Sequence, residues 1–238
     1  MLKPSLFLKL IFIGSTLALN LLLIPLPLQA QDDPVPPGTG GTGDTKPGGT
    51  RGTCLGDTTS QSLTALIPAI EQRTEQPLEL TTLPHPTVLI YIPKTEAKIV
   101  KFIIVEDQSN KPIYKTEINL QKQPGILAIE MPKNQPELKD EVVYRWTVSL
   151  DCTDSIDPSV QGWIKRIQPN PELTQALQKN PTEQWLVYAK AGIWYDAIAT
   201  LATLRQAEPN NPQLESNWQE LLQSVKLDAV AKAPLIQP

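Results

Sequence analysis

The sequence predicts a mainly β protein that ends in a short α-helical segment, and three observations predict it. Several short mid-chain runs are expected to be strands, and the clearest of them, Val142–Leu150, alternates apolar and polar side chains with a period of two. Prolines bound most of these runs, as they do at the ends of strands. After Pro169 the apolar residues recur at the spacing of a helix instead.

The clearest predicted strand runs from Val142 to Leu150, where Tyr144, Trp146 and Val148 share one apolar face. Six further runs are expected to be strands, and no helical pattern separates them: Leu78–Leu83, Thr87–Ile92, Lys98–Glu106, Ile113–Leu120, Ile126–Met131 and Val160–Gln168. About seven short strands without helices between them favour an antiparallel β-sandwich, immunoglobulin-like in kind, over a parallel α/β sheet.

Helices are predicted after residue 169. The pairs Asn170-Pro171, Asn180-Pro181 and Asn211-Pro212 each offer an Asn N-cap followed by proline in the first helical turn. Two apolar stripes follow at helical spacing, one from Ile193 to Leu204 and one from Leu214 to Val225.

The chain is expected to have five parts. Residues 1–30 resemble a signal peptide, with Lys3 and Lys9 before a largely apolar run and Ala30 at the expected cleavage site. An uncleaved N-terminal anchor is the alternative. Residues 31–52 form a linker rich in Gly, Pro and Thr, 53–168 the β-sandwich, 169–227 a helical hairpin plus a capping helix, and 228–238 a disordered tail.

Charge and compartment limit the partners. Without residues 1–30 the chain keeps 19 basic and 25 acidic residues, a net charge of −6. No cluster of Lys and Arg stands out, which argues against a nucleic-acid partner. We expect an exported protein, periplasmic or extracellular, with no membrane span once the signal peptide is removed.

The only two cysteines are Cys54 and Cys152. In an exported protein an even pair favours a structural disulfide. The alternative, a reactive thiol or a metal ligand, would need a nearby His or a closely spaced second Cys, and neither is present.

No catalytic, cofactor or metal site is predicted. His85 is the single histidine and stands between two prolines, where an exposed loop residue is expected. Asp151, Asp154 and Asp157 recur at a spacing of three but lack the pattern of a calcium-binding loop, so a solvated turn is the preferred interpretation.

Four residues are candidates for contact with a ligand or partner. Trp163 and Trp194 are the two tryptophans whose burial the pattern leaves undetermined, whereas core packing is preferred for Trp146, Trp185 and Trp218. Arg145 lies on the polar face of its strand, and Arg166 on the last strand is expected to lie beside it in a small anion-attracting patch.

Two resemblances extend these predictions. Gly192, Ala197 and Pro209 stand at the spacings of a tetratricopeptide repeat, so the chain resembles a single such hairpin, which is expected to pack on the sandwich. The wider chain, over about residues 51 to 227, resembles a cyanobacterial exported family known as domain of unknown function 928. The matching stretches are Arg51–Cys54, Leu63–Pro68, Tyr91–Pro93, Pro124–Ile126, Tyr144–Trp146, Cys152, Gly162–Ile164, Arg166 and Leu204–Arg205. This resemblance implies compartment and architecture but no chemistry.

The sequence thus predicts a non-catalytic binding or protein-interaction module of the cell envelope, whose partner is an envelope protein or polysaccharide. A carbohydrate-binding or glycan-modifying β-sandwich is the alternative. A hydrolase of unassigned mechanism is a third hypothesis.

Overall fold

The computed structural model describes residues 54–55, 62–68, 78–152 and 157–237. The signal peptide predicted for residues 1–30 and the linker predicted for 31–52 lie outside the described residues. Among those that are described, no helix is both long enough and apolar enough to cross a membrane.

The described chain is mainly β, with nine strands and four helices. The strands are β1 (Thr64–Ala65), β2 (Leu78–Thr81), β3 (Thr87–Ile92), β4 (Ile99–Glu106), β5 (Pro112–Asn119), β6 (Gly125–Glu130), β7 (Val143–Leu150), β8 (Ser159–Arg166) and β9 (Leu235–Ile236). Strands β2 to β8 confirm the seven predicted runs, with small differences at their ends. Strands β1 and β9 were not predicted, because two residues are too few to show a period.

The strands form two sheets, and both are mixed rather than purely antiparallel. The smaller sheet has the order β1-β3-β6-β9 and the larger one β2-β8-β7-β4-β5. Strand β2 pairs parallel to β8, and β9 pairs parallel to β6. The expectation of a purely antiparallel arrangement is therefore wrong. Each parallel partner is far along the chain, so long connections replace the tight hairpins that antiparallel neighbours use.

Alternate residues of the strands enter a shared apolar core. One face of β3 in the smaller sheet and one face each of β4 and β7 in the larger sheet supply the first core cluster, which includes Val88, Ile90, Phe102, Ile104, Trp146 and Val148. The opposite face of β3 contributes Leu89 and Tyr91 to a second cluster. This explains why β3 is apolar at nearly every position: both of its faces are covered.

The helices are α1 (Pro171–Lys179), α2 (Gln184–Lys190), α3 (Trp194–Ala207) and α4 (Pro212–Gln223). Asn170 and Asn211 cap α1 and α4 as predicted, accepting backbone N–H groups of the first turn. Asn180 does not cap a helix start. It is the C-cap of α1, its side chain donates to the carbonyl of Ala176, and α2 begins only at Gln184 without a side-chain cap.

The helices dock on the smaller sheet. Side chains of α3 and α4, among them Ile198, Leu201, Trp218 and Leu222, join Leu89, Tyr91 and Ile126 in the second core cluster. At the start of α3, Tyr195 belongs to the first cluster instead. The helical segment therefore shares both cores with the strands, which agrees with the expected packing of the helices on the β domain.

Residues 228–238 were expected to be disordered, and this is wrong for most of them. Asp228–Val230 form a 3-10 turn, and β9 pairs with Ile126 and Leu127 of β6. The physical reason is the apolar content of the segment. Val230 and Ile236 are buried, and Ile236 fills the space beside Gly125, where an added Cβ would lie 2.4 Å from its Cγ2.

Candidate functional site

The two cysteines form the expected disulfide. Cys54 and Cys152 are bonded across a separation of 98 residues, and neither is left as a free thiol. Cys152 follows β7 and is buried in the first core cluster. The backbone carbonyl of Cys54 accepts hydrogen bonds from the backbone N–H of Glu96 and from the hydroxyl of Thr95. The bond therefore ties the start of the described chain to the end of a central strand.

Both candidate tryptophans are buried and hydrogen-bonded. Trp163 is 6% exposed and donates its indole N–H to Asp107 Oδ1 at 3.1 Å. Trp194 is also 6% exposed and donates to the carbonyl of Leu66 at 2.8 Å. Neither ring offers a flat face for stacking, so their burial does not support the predicted contact role. Trp146 and Trp218 are fully buried, as core packing predicts.

The structure does not bring Arg145 and Arg166 together. Arg145 pairs in register with Trp163, and Val143 pairs with Lys165. Cross-strand partners share a face and successive residues alternate, so Arg166 has the parity of the opposite face. The anion-attracting patch is therefore a wrong expectation. Arg166 stands two positions after Ile164 and therefore has the parity of the inward residues Val160, Gly162 and Ile164. This parity could have been derived from the sequence.

Each of the two arginines is neutralised by its own carboxylates. Arg145 lies 3.5 Å from Asp107 Oδ1 and donates to Asn110 Oδ1 at 2.6 Å. Arg166 pairs with Glu137 and Asp140, in loops that precede β7, and donates to the carbonyl of Leu138 at 2.8 Å. Asp107 thus serves both Arg145 and the indole of Trp163, which places these three side chains in one cluster.

This cluster lies on what we call the outer face of the larger sheet, the face that points away from the first core cluster. By register its residues include Ile99, Lys101, Ile103, Val105, Val143, Arg145, Thr147, Ser149, Trp163 and Lys165. The aliphatic side chains among them are half-buried, and none belongs to either core cluster of the described residues. The outer face is therefore more apolar than the polar face that the sequence predicts around Arg145.

Ion pairs lie among the apolar side chains of the outer face. Lys101 lies 2.8 Å from Asp151, Arg145 contacts Asp107, and Lys165 lies 3.0 Å from Glu141. The hydrogen bond with Asp151 raises the pKa of Lys101. Apolar side chains beside charged groups, with arginine among them, are common at protein–protein interfaces.

A second polar cluster was missed by the sequence analysis. Asp196, in the first turn of α3, is 1% exposed and accepts hydrogen bonds from the hydroxyls of Thr81 and Thr82 and from the backbone N–H of Thr82. Burial raises its pKa despite these bonds. Burial also raises the pKa of the neighbouring Tyr188. Because three donors occupy the carboxylate, it acts as an anchor between α3 and the end of β2.

The remaining polar candidates do not assemble into a reactive centre within the described chain. His85 Nε2 lies 2.8 Å from the carbonyl oxygen of Gln135. No group of three or more His, Cys, Asp or Glu side chains is placed to hold a metal ion among the residues that are described, and Asp154 lies outside them.

The fold and the surface together define a class: a disulfide-bonded, mainly β protein with a docked helical segment and a half-apolar outer face. A family model described as Domain of Unknown Function (DUF928) matches residues 46–235, and the chain belongs to this family. No curated protein matches the chain.

Proposed function

We propose that this chain is an exported, non-catalytic protein-interaction module of the cell envelope, and that its outer face contacts the partner. The observation that carries the proposal is the composition of that face. Ile103, Val105 and Val143 lie half-buried outside both core clusters, beside the cluster of Arg145 and Asp107.

The contact chemistry we expect follows from the paired charges. Lys101, Arg145 and Lys165 each have a carboxylate partner, so the outer face has little net charge with which to attract an anionic polymer. A protein partner would gain from burying the aliphatic side chains, while the paired charges remain as polar neighbours. A protein surface that carries both apolar groups and charges of mixed sign fits this arrangement.

The architecture and the compartment are part of the same proposal. The two sheets are proposed to form a β-sandwich, which is supported by the core that their facing side chains share. The disulfide supports an oxidising compartment, periplasmic or extracellular, and the resemblance to the family supports a cyanobacterial source.

We further propose that α2 and α3 form a hairpin of the tetratricopeptide kind. The support lies in three positions. Gly192, with a φ of +73°, stands in the turn between the two helices, Ala197 is fully buried, and Pro209 follows the end of α3. Since the hairpin contributes to the second core cluster, its proposed role is to cover the smaller sheet rather than to bind a peptide.

Carbohydrate binding is the second candidate, and the cluster of Trp163, Asp107, Arg145 and Asn110 favours it, because such side chains also bind sugar hydroxyls. The burial of Trp163 places it second. Titration of the protein with envelope glycans, monitored by tryptophan fluorescence, distinguishes glycan binding from binding of a protein partner. A saturable shift supports glycan binding, and a flat response supports the protein partner.

A photo-cross-linking amino acid at position 103, introduced in the native envelope, tests the proposal. We expect a discrete protein adduct from position 103 and none from position 213, an exposed site on α4. Val105→Glu should weaken binding of the captured partner at least tenfold, since it buries a charge within the contact. Equal adducts from both positions, or unchanged binding by the folded Val105→Glu variant, would contradict the proposal.

A further inference from the structure

The larger sheet ends in a long edge strand. Strand β5 spans Pro112–Asn119 and pairs only with β4 among the described strands. The other three sheet edges are shorter: β1 and β9 have two residues each and β2 has four. An unpaired strand of this length presents a row of free N–H and C=O groups that can accept another strand.

The hydrogen-bond pattern shows which residues of β5 face the free edge. Leu120 donates its backbone N–H to the carbonyl of Lys98, and these two residues are opposite each other in the register of β4 and β5. Hydrogen-bonded pairs alternate along an antiparallel ladder, so Ile118, Thr116 and Tyr114 also turn their backbone groups toward β4. The backbone groups of Lys115 and Glu117 therefore point outward.

The side chains of these two outward residues carry opposite charges. Lys115 and Glu117 are both exposed, and neither forms an ion pair with another described residue. They lie two positions apart and so project from the same face of the sheet. Between them, Thr116 points to the other face, with Tyr114 and Ile118 as its neighbours on that face.

We propose that β5 is a self-association strand, and that its partner is β5 of a second copy of this chain, paired antiparallel about a two-fold axis at Thr116. In this register Lys115 of each copy is opposite Glu117 of the other. Tyr114 is opposite Ile118, and Thr116 is opposite Thr116. Opposite-charge, aromatic–aliphatic and Thr–Thr pairs are all favourable cross-strand pairs.

Backbone geometry and charge select this register over its neighbours. The Lys115–Glu117 pairs are the hydrogen-bonded ones, so both residues exchange their outward N–H···O bonds. A shift of the axis by one residue toward the N-terminus places Lys115 opposite Lys115, and a shift the other way places Glu117 opposite Glu117. Like charges directly opposite each other are destabilising. The same patch on both copies is the requirement for a closed two-fold dimer.

The alternative interpretation is that the charges of β5 only protect the sheet edge from aggregation. An experiment can distinguish this role from self-association. Edge charges that serve only as protection disfavour pairing with other strands in general, whereas complementary charges at symmetric positions permit one self-pairing. Charge reversal at either position therefore separates the two interpretations, because it keeps the edge charged but removes the complementarity between two copies.

The experiment measures the mass of the full chain by sedimentation equilibrium over a range of concentrations at low and high salt. We expect a reversible dimer for the wild type. Lys115→Glu alone and Glu117→Lys alone should each weaken dimerisation at least tenfold, because two like-charged pairs form in each homodimer. The two single variants mixed together should form a heterodimer, and the double variant Lys115→Glu/Glu117→Lys should recover the homodimer.

A cysteine at the proposed two-fold axis tests the register directly. In a non-hydrogen-bonded pair the Cα atoms are about 4.5 Å apart, which is within reach of a disulfide. We expect Thr116→Cys to form a covalent dimer under oxidation. The control Ile118→Cys should not, because residue 118 is opposite residue 114 of the other copy.

Circular dichroism and an intact Cys54–Cys152 bond, checked by mass spectrometry, would establish that the variants are folded. A wild type that stays monomeric at all concentrations would overturn the proposal. So would a dimer whose affinity the single charge reversals leave unchanged.

Discussion

Two consecutive residues at the start of α3 join the helical segment to the larger sheet. The hydroxyl of Tyr195 accepts the indole N–H of Trp146 at 2.6 Å and donates to the carbonyl of Trp163 at 3.2 Å. Asp196 accepts the donors of Thr81 and Thr82. Because all these polar groups are buried or half-buried, an unpaired one would cost about 1–3 kcal/mol. This local network fixes where the helix begins relative to the strands.

Asp196 makes the stability of the protein depend on pH in a defined direction. Its pKa is raised by burial above the ordinary carboxyl value, so the folded state holds the proton more tightly than the unfolded state. The stability gained from protonation is complete below the ordinary pKa of about 3.9 and is lost as the pH rises through the raised pKa. We therefore expect the free energy of unfolding of the wild type, minus that of Asp196→Asn, to increase as the pH falls from about 7 to about 4.

Denaturant unfolding of both proteins at several pH values measures this difference, and other carboxyl groups cancel in the subtraction. Tyr188 is the neighbouring titratable side chain, so the comparison is repeated in a Tyr188→Phe background, where the same trend is expected. A difference that is independent of pH, or that falls toward acid pH, would contradict the assigned pKa direction.

At the scale of elements, strands β7 and β8 pack closely because a large side chain on β7 is opposite a glycine on β8. Gly162 is in register with Trp146, and a Cβ on Gly162 would lie 2.4 Å from Trp146 Cζ2 and 2.7 Å from Cε2. The indole ring fills the space that a Cβ at this glycine would occupy, and its N–H reaches Tyr195 of α3. The strand pair therefore depends on glycine at this position for close packing rather than for backbone freedom.

Gly162→Ala should lower the free energy of unfolding by about 1–3 kcal/mol, because the new methyl group overlaps the buried indole. In a Trp146→Phe background the smaller ring leaves room, and the added cost of Gly162→Ala should shrink to below about 1 kcal/mol. Chemical denaturation of the four proteins of this cycle measures the coupling. Equal costs in both backgrounds would show that the ring is not the cause.

The sequence predicted the longer elements because their pattern is local. The period of two in β7, and the Asn caps of α1 and α4, depend on residues a few positions apart. Contacts over long separations were not predictable in this way. Asp196 meets Thr81 across 115 residues, and β9 is too short to signal its pairing with β6.

The candidate site was predicted only in part for the same reason. Arg145 was placed on the polar face of its strand, and its register with Trp163 agrees with that placement. The carboxylate that neutralises it, Asp107, belongs to a turn after β4, and nothing in the sequence around Arg145 indicates that pairing. Arg166 was misplaced because strand parity was not applied up to the end of β8.

At the scale of the whole molecule, one covalent bond and two core clusters hold distant parts of the chain together. The disulfide joins residues 98 positions apart, and the smaller sheet is covered on both faces, by the larger sheet in the first cluster and by the helices in the second. Loss of either cluster therefore exposes apolar surface on β3 or β6, which are the two central strands of the smaller sheet.

Replacing both Cys54 and Cys152 by alanine should reduce the free energy of unfolding by about 4–5 kcal/mol, because the unfolded chain regains the entropy of a loop of this size. Guanidinium unfolding of the variant, compared with the wild type with and without reductant, measures the loss. Reduced wild type and the double variant should unfold at similar midpoints. A loss below about 1 kcal/mol would show that the bond constrains little of the unfolded ensemble.

The pairing of β9 with β6 has a consequence for the order in which the molecule is assembled. Gly125 and Ile126 come to rest against Pro234, Leu235 and Ile236, residues synthesised more than a hundred positions later. A chain emerging from a ribosome or a translocation channel cannot complete the smaller sheet until residue 236 is free. Until then β6 has an unoccupied side, and a nascent intermediate remains open to capture by chaperones or proteases.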